Sequence, residues 1–117
     1  MSAVTARAFR NFALKLPEVV EGAHMGHADF RVRGKIFATL GPDEDWGMVK
    51  LPPDEQAVLV GDLDGPYQPA KGAWGVRGCT IVTLADAEAR VVRNALVAAW
   101  KNTAPKSLAR TYDGQME

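Results

Sequence analysis

The hydrophobic period changes twice along this chain, and that alternation limits the folds open to it. Phe9, Phe12, Ala13 and Leu16 recur at i, i+3, i+4 and i+7, the stripe of an amphipathic helix. Ser2 or Thr5 can cap its start, and Pro17 ends it because proline lacks the amide proton and crowds the preceding turn. A helix from about Ala3 to Leu16 is therefore expected. A second stripe, Val92, Ala95, Leu96, Ala99 and Trp100, lies between Asp86 as cap and Pro105 as stop, predicting a helix from about Ala87 to Thr103. Between these stripes the period falls to two, with glycine and proline as punctuation, which is the mark of strands and hairpins.

Within that middle, Asp29 to Leu40 reads as a hairpin around Arg33-Gly34-Lys35. A two-residue turn at Arg33-Gly34 would set Val32 beside Lys35 and Arg31 beside Ile36. A three-residue loop instead pairs Val32 with Ile36 and Phe30 with Ala38, making one face wholly apolar. A one-residue slip moves every side chain to the other face, so the three-residue loop is expected, with Gly34 at positive φ. His27, Asp29, Arg31, Phe37 and Thr39 then share the outer face. Trp46 to Leu51 reads as a third strand, and Pro52-Pro53-Asp54 opens a short helix to about Val60, with Gly61 after its end. Tyr67 to Val76 and Cys79 to Leu84 read as a second hairpin. The order α-β-β-β-α-β-β-α predicts an α+β fold of two layers, an antiparallel sheet with helices mainly on one face.

Composition supplies the exclusions. A chain of 117 residues, 47% hydrophobic and 24% charged, is expected to form a single domain over 1–117. One cysteine excludes a disulfide framework and a thiolate zinc site. The longest apolar run, Ala95 to Trp100, is far short of the ~18 residues a membrane span needs. No charged and then apolar leader opens the sequence, so a cytoplasmic location and no membrane partner are expected. Charge sums to zero but is segregated. Six bases face three acids from Arg7 to Lys35, seven acids face Lys50 alone from Asp43 to Asp64, and seven bases face four acids from Lys71 onward. Such asymmetry can give a basic face once folded.

Three blocks carry a family resemblance. Gly26-His27-Ala28-Asp29-Phe30-Arg31-Val32 runs into Gly34-Lys35-Ile36-Phe37-Ala38-Thr39-Leu40, Gly72-Ala73-Trp74-Gly75 leads to Gly78-Cys79-Thr80, and Ala99-Trp100 precedes Ala104-Pro105-Lys106. With Val49-Lys50-Leu51 these resemble the MmcQ/YjbR-like family of small bacterial proteins over nearly the whole chain. The resemblance implies a fold akin to type III secretion chaperones, with helix, three strands, helix, two strands and helix. It also implies a DNA-binding label with a "double-wing" motif. No catalytic residues come with it.

The residues themselves leave three functional classes open. For nucleic acid, Arg31, Arg33 and Lys35 at one hairpin, with Lys71, Trp74 and Arg77 in the loop Lys71 to Gly78, combine bases with an aromatic ring. The loop Gly41 to Asp45 is acidic and makes the poorer wing. For a protein partner, Phe37, Trp46, Met48 and Lys50 form an aromatic and adaptable outer face. For a small ligand, His27 and Asp29 sit beside Arg31, while Glu21, His24, His27 and Asp29 are the sole cluster of metal-ligating types. His24 and His27 lie at odd separation, so in an extended segment they point to opposite faces. No metal and no cofactor are assigned. Enzyme chemistry has little support: Ser2 and Ser107 lie near the termini, Cys79 reads as a buried thiol, and Gly72, Gly75 and Gly78 lack the Lys-Ser/Thr of a phosphate loop.

Overall fold

Two X-Gly dipeptides set the first half of the sheet. The structure, a computed structural model, describes residues 4–61 and 64–112. Met25 and Gly26 have φ of 50° and 84°, and Arg33 and Gly34 have φ of 52° and 82°. Positive φ at both central residues is what a type I′ hairpin turn requires, because its twist matches that of the flanking strands. These turns join β1 (Val19–His24), β2 (His27–Val32) and β3 (Lys35–Leu40) as a meander. β4 (Trp46–Lys50), β5 (Tyr67–Pro69) and β6 (Cys79–Thr83) complete one antiparallel sheet in the order β1-β2-β3-β4-β6-β5. The α+β class and the antiparallel sheet match the sequence reading.

Helices form where the stripes stand. α1 (Ala6–Leu14) starts at Thr5, whose side chain accepts a hydrogen bond from the Ala8 amide; the alternative cap, Ser2, lies outside the described residues. α2 (Pro53–Val60) has proline in its first turn and ends at Gly61. α4 (Ala89–Thr103) is the long helix, entered from a 3₁₀ turn at Leu84–Asp86 rather than capped by Asp86. A short α5 (Lys106–Ala109) follows Pro105. α4 lies across β3 and β4 with α1 beside it, so the core is one layer between these helices and one sheet face. Trp100, Phe9, Phe30, Phe37, Leu40 and Leu96 are its largest fully buried members.

Three expectations are corrected. The hairpin between β2 and β3 turns through two residues, pairing Val32 with Lys35 and Arg31 with Ile36, yet Phe30 still faces Ala38. A β-bulge between these pairs reconciles them. Phe37 is the extra residue, and it turns into the core at 0% exposure instead of standing on the outer face. The bulge lets the tight turn keep its geometry while Phe30, Val32 and Ala38 stay inside. Second, an additional strand, β1, covers the edge of β2. Third, the stretch read as a strand from Tyr67 to Val76 stops at Pro69 and becomes a short helix, α3 (Gly72–Val76). Gln56 on α2 donates hydrogen bonds to the Gly75 and Cys79 carbonyls and so ties α3 to the start of β6.

Tyr67 shows what burial does to an ionisable group here. Its hydroxyl is buried without a hydrogen-bond partner among the described residues, and burial, with Glu88 adding to it, pushes its pKa up to about 12. The unfolded chain ionises this phenol near pH 10, two pH units earlier, so the folded state loses stability as pH rises between those values. Relative to Tyr67→Phe, the wild-type chain is expected to lose an additional ~2–3 kcal/mol between pH 9 and pH 12. Urea unfolding of both proteins across that range checks it. Parallel curves would show that the folded state does not hold this phenol neutral.

Candidate functional site on the open face of the sheet

Strand alternation sends half of each strand's side chains away from the helices. On that open face lies a groove of about 490 Å³. Met48, Ile81 and Ile36 form its apolar floor, Trp46 and Trp74 its aromatic walls, with Thr39, Ala70 and Cys79 between them. The antiparallel registers order it along its length. Trp46 faces Thr83 and Lys50 faces Cys79 across β4 and β6, so His24, His27 and Trp46 line one end and Lys50, Lys71 and Trp74 the other. Each aromatic wall has a local cause. Trp46 lies flat on Gly41, where a Cβ would sit 2.3 Å from its ring. Trp74 is carried by α3 and is 60% exposed, with the Arg77 guanidinium 5.9 Å from its ring centre.

At the histidine end sits a charged cluster. The Asp29 carboxylate has 0% side-chain exposure. It accepts from Arg31 Nε at 2.7 Å, from a second Arg31 nitrogen at 3.0 Å and from His24 Nδ1 at 2.7 Å. Bonding to Arg31 holds this carboxyl below the usual carboxylate range, His24 adds to that, and burial opposes both. An ionised carboxylate accepts only, so Nδ1 of His24 is the donor and a neutral ring keeps its lone pair on Nε2. Gly22 opposes Asp29, and its missing side chain leaves the space the Asp29–Arg31 pair fills. Asp29 thus partners His24 and Arg31.

The two histidines meet because of the Met25-Gly26 turn. They are a cross-strand pair with ring centres 4.6 Å apart, although an extended segment would have separated them. The X-Gly between two histidines was the signal that could have found this pair. His27 Nδ1 is buried without a partner among the described residues. Glu21, the fourth member of the suspected metal cluster, bonds Arg10 of α1 instead. Among the described residues no group of three or more His, Cys, Asp or Glu is placed to hold a metal ion. The Cys79 thiol is buried and pushed up by that burial, which outweighs Lys50 and Arg77 nearby. A thiol held protonated is a poor nucleophile.

The bases divide into engaged and unengaged groups. Arg31 is taken by Asp29, and Arg33 is held by both oxygens of Glu18, the second contact at 3.1 Å. Among the described residues no carboxylate pairs with Lys35, Lys50, Lys71 or Arg77. β3 starts, β4 ends, β5 ends and β6 starts at the same end of the sheet. These four bases therefore line one end, spread over roughly three strand spacings, or about 14 Å. Of the residues expected to serve a protein partner, Trp46, Met48 and Lys50 stand on the open face and Phe37 does not. Burying Phe37 removes it as an anchor.

Comparisons with known proteins agree with this architecture. The YjbR family model matches residues 14–102. The crystal structure of a Deinococcus radiodurans protein with a DUF419 domain superposes with a TM-score of 0.72 at 17% identity, covering 84% of this chain and 77% of that one. Among curated proteins none matches the chain. Among the described residues no helix is long and apolar enough to cross a membrane. A family match over three quarters of the length, the strand order and the shared structure lead to one conclusion: the chain belongs to the YjbR family.

Proposed function

We propose that this protein is a non-catalytic accessory protein that binds nucleic acid along the basic end of its sheet, within the cytoplasm. One observation carries the reading: Lys35, Lys50, Lys71 and Arg77 share that end without carboxylate partners, next to the exposed ring of Trp74. Phosphates need such uncommitted cations, because contact energy comes from counterion release. The hairpin tip around Arg33 and Lys35 and the segment from Lys71 to Arg77 act as two wings, as the family's DNA-binding label implies. Arg31 and Arg33 contribute through the fold, since their carboxylate partners occupy them. The acidic loop 41–45 lies at the opposite end of β4 and does not face the phosphates.

With ~4 phosphate contacts, log K is expected to fall against log salt with a slope of about −3.6 on duplex DNA. Between 50 and 200 mM salt that is a loss of roughly 150-fold. Fluorescence anisotropy of a labelled duplex at both concentrations measures it. Charge reversal of the four bases (Lys35→Glu, Lys50→Glu, Lys71→Glu, Arg77→Glu) should abolish binding at low salt. Binding that survives the reversal, or none by wild type at ~50 mM salt, would reject the reading.

A further inference from the structure

The groove shares Lys50, Lys71 and Trp74 with the basic end of the sheet and adds an apolar and aromatic lining that phosphate contacts do not use. We propose that it is a binding site for a flat aromatic ring bearing an anionic group, with the ring lying over Met48 between Trp46 at one end and Trp74 at the other and the anion at Lys50 and Lys71. This goes beyond the strand-binding reading and stands without it.

Three observations carry it. The first is charge. Lys50 and Lys71 line one end of the groove, and among the described residues no carboxylate lines any of it. Asp29, paired with Thr39 of the lining, is buried and occupied by Arg31 and His24. Among the described residues, the charged side chains an anion meets there are cations. The second is shape. A concavity of about 490 Å³ falls in the range of small-molecule sites, whose lining is mostly apolar with a few placed polar groups. From Trp46 to Lys50 the groove runs along four residue steps of β4, about 13 Å, long enough to hold a ring at one end and an anion at the other. The third is the far end. His24 is fixed by Asp29 with Nε2 as its remaining nitrogen, and its ring lies tilted against that of His27. That end can meet a polar ring edge, such as the exocyclic amine or ring nitrogen of a nucleobase. Trp46 packs in the space that Gly41 leaves by lacking a side chain.

The same chemistry has two sources, a free nucleotide-like molecule and an unpaired base with its own phosphate within a strand. Adenosine 5′-monophosphate and naphthalene-2-carboxylate serve as anionic ring probes, adenosine as the ring without charge, and ribose 5-phosphate as the charge without a ring. Binding is read by amide chemical shifts of the full chain. At least one anionic ring is expected to shift residues of β4, α3 and β6. Adenosine and ribose 5-phosphate should each bind about tenfold more weakly than adenosine monophosphate where that is the binder, since stacking and charge each supply about one order of magnitude. Trp74→Ala and Lys71→Glu change exposed side chains, leave the fold intact by circular dichroism, and should each cost about tenfold.

A trinucleotide of deoxyadenosine bound ten times more tightly than the monophosphate assigns the site to a strand's base. Equal or weaker binding assigns it to the free molecule. Either result keeps the proposal. No shift by either anionic ring at millimolar concentration, or shifts confined to residues outside β4, α3 and β6, overturns it. Duplex binding in the salt titration alongside such a failure would leave the strand reading intact. A bound ring without duplex binding would do the reverse.

Discussion

Gly78→Ala is expected to cost about 3 kcal/mol or more and to lower the melting temperature by roughly 12 °C. Two penalties coincide at this residue. Its φ is +110°, a region that side chains rarely enter, and an added Cβ would stand 1.7 Å from the Leu51 carbonyl oxygen. That obstacle is backbone, so no rotamer change can relieve it. The close approach has a purpose in the sheet: Leu51 donates its amide to the Gly78 carbonyl at 3.0 Å, and Thr80 adds its hydroxyl to the same oxygen at 2.9 Å. This junction closes β4 onto β6 directly beneath Lys50 and Cys79, which belong to the groove. Gly65→Ala is the control, because a Cβ there meets nothing within 4 Å. It should change stability by less than ~0.5 kcal/mol. Thermal unfolding by circular dichroism compares the two, and a Gly78→Ala protein as stable as the control would refute the close approach.

Trp100→Ala should destabilise the chain by about 3–5 kcal/mol, the usual range for removing a large buried aromatic. The ring is 0% exposed, lies 5.8 Å from Tyr112 and donates Nε1–H to the Pro17 carbonyl at 3.0 Å. That bond joins α4 to the segment that leads from α1 into β1. Trp100→Phe separates its two contributions. It keeps most of the packing but leaves the carbonyl without its donor, and about 1–3 kcal/mol is expected from that alone. Urea titration checks both, with unchanged m values marking a true loss of stability rather than an altered unfolded state. A phenylalanine variant as stable as wild type would show the hydrogen bond to be replaced by solvent.

Where the chain's own pattern was strong, it decided the local structure. The five-residue stripe of α4 needs no partner to be recognised, because helical periodicity places Val92, Ala95, Leu96, Ala99 and Trp100 on one side whatever they face. Proline in the first turn and glycine after the last likewise bound α2. The outward alternation of Trp46, Met48 and Lys50 followed from period two alone, and these residues do line the groove.

Other features depend on comparisons a linear pattern cannot make. The bulge at Phe37 is one, since alternation assumes that opposed strands contribute equal numbers of residues. Ile36-Phe37-Ala38 contains no mark of an extra residue, and only the competition between a tight turn and a common core selects it. α3 is another. Its five residues include two glycines and are too few for a stable isolated helix, so it forms because Gln56 and the Ala73–Arg77 backbone bond hold it. Residue types nominated His24, His27, Asp29 and Arg31 as chemically capable, but their partners came from the fold. The Met25-Gly26 turn brought the histidine rings together, and burial on the sheet committed Asp29 to Arg31 and His24. Local sequence determined the elements and which residues were available to a site, because periodicity and capping act within a few residues. Tertiary structure alone decided which bases stayed unpaired and where the groove opened, because ion pairs and cavities are made between segments distant in the chain.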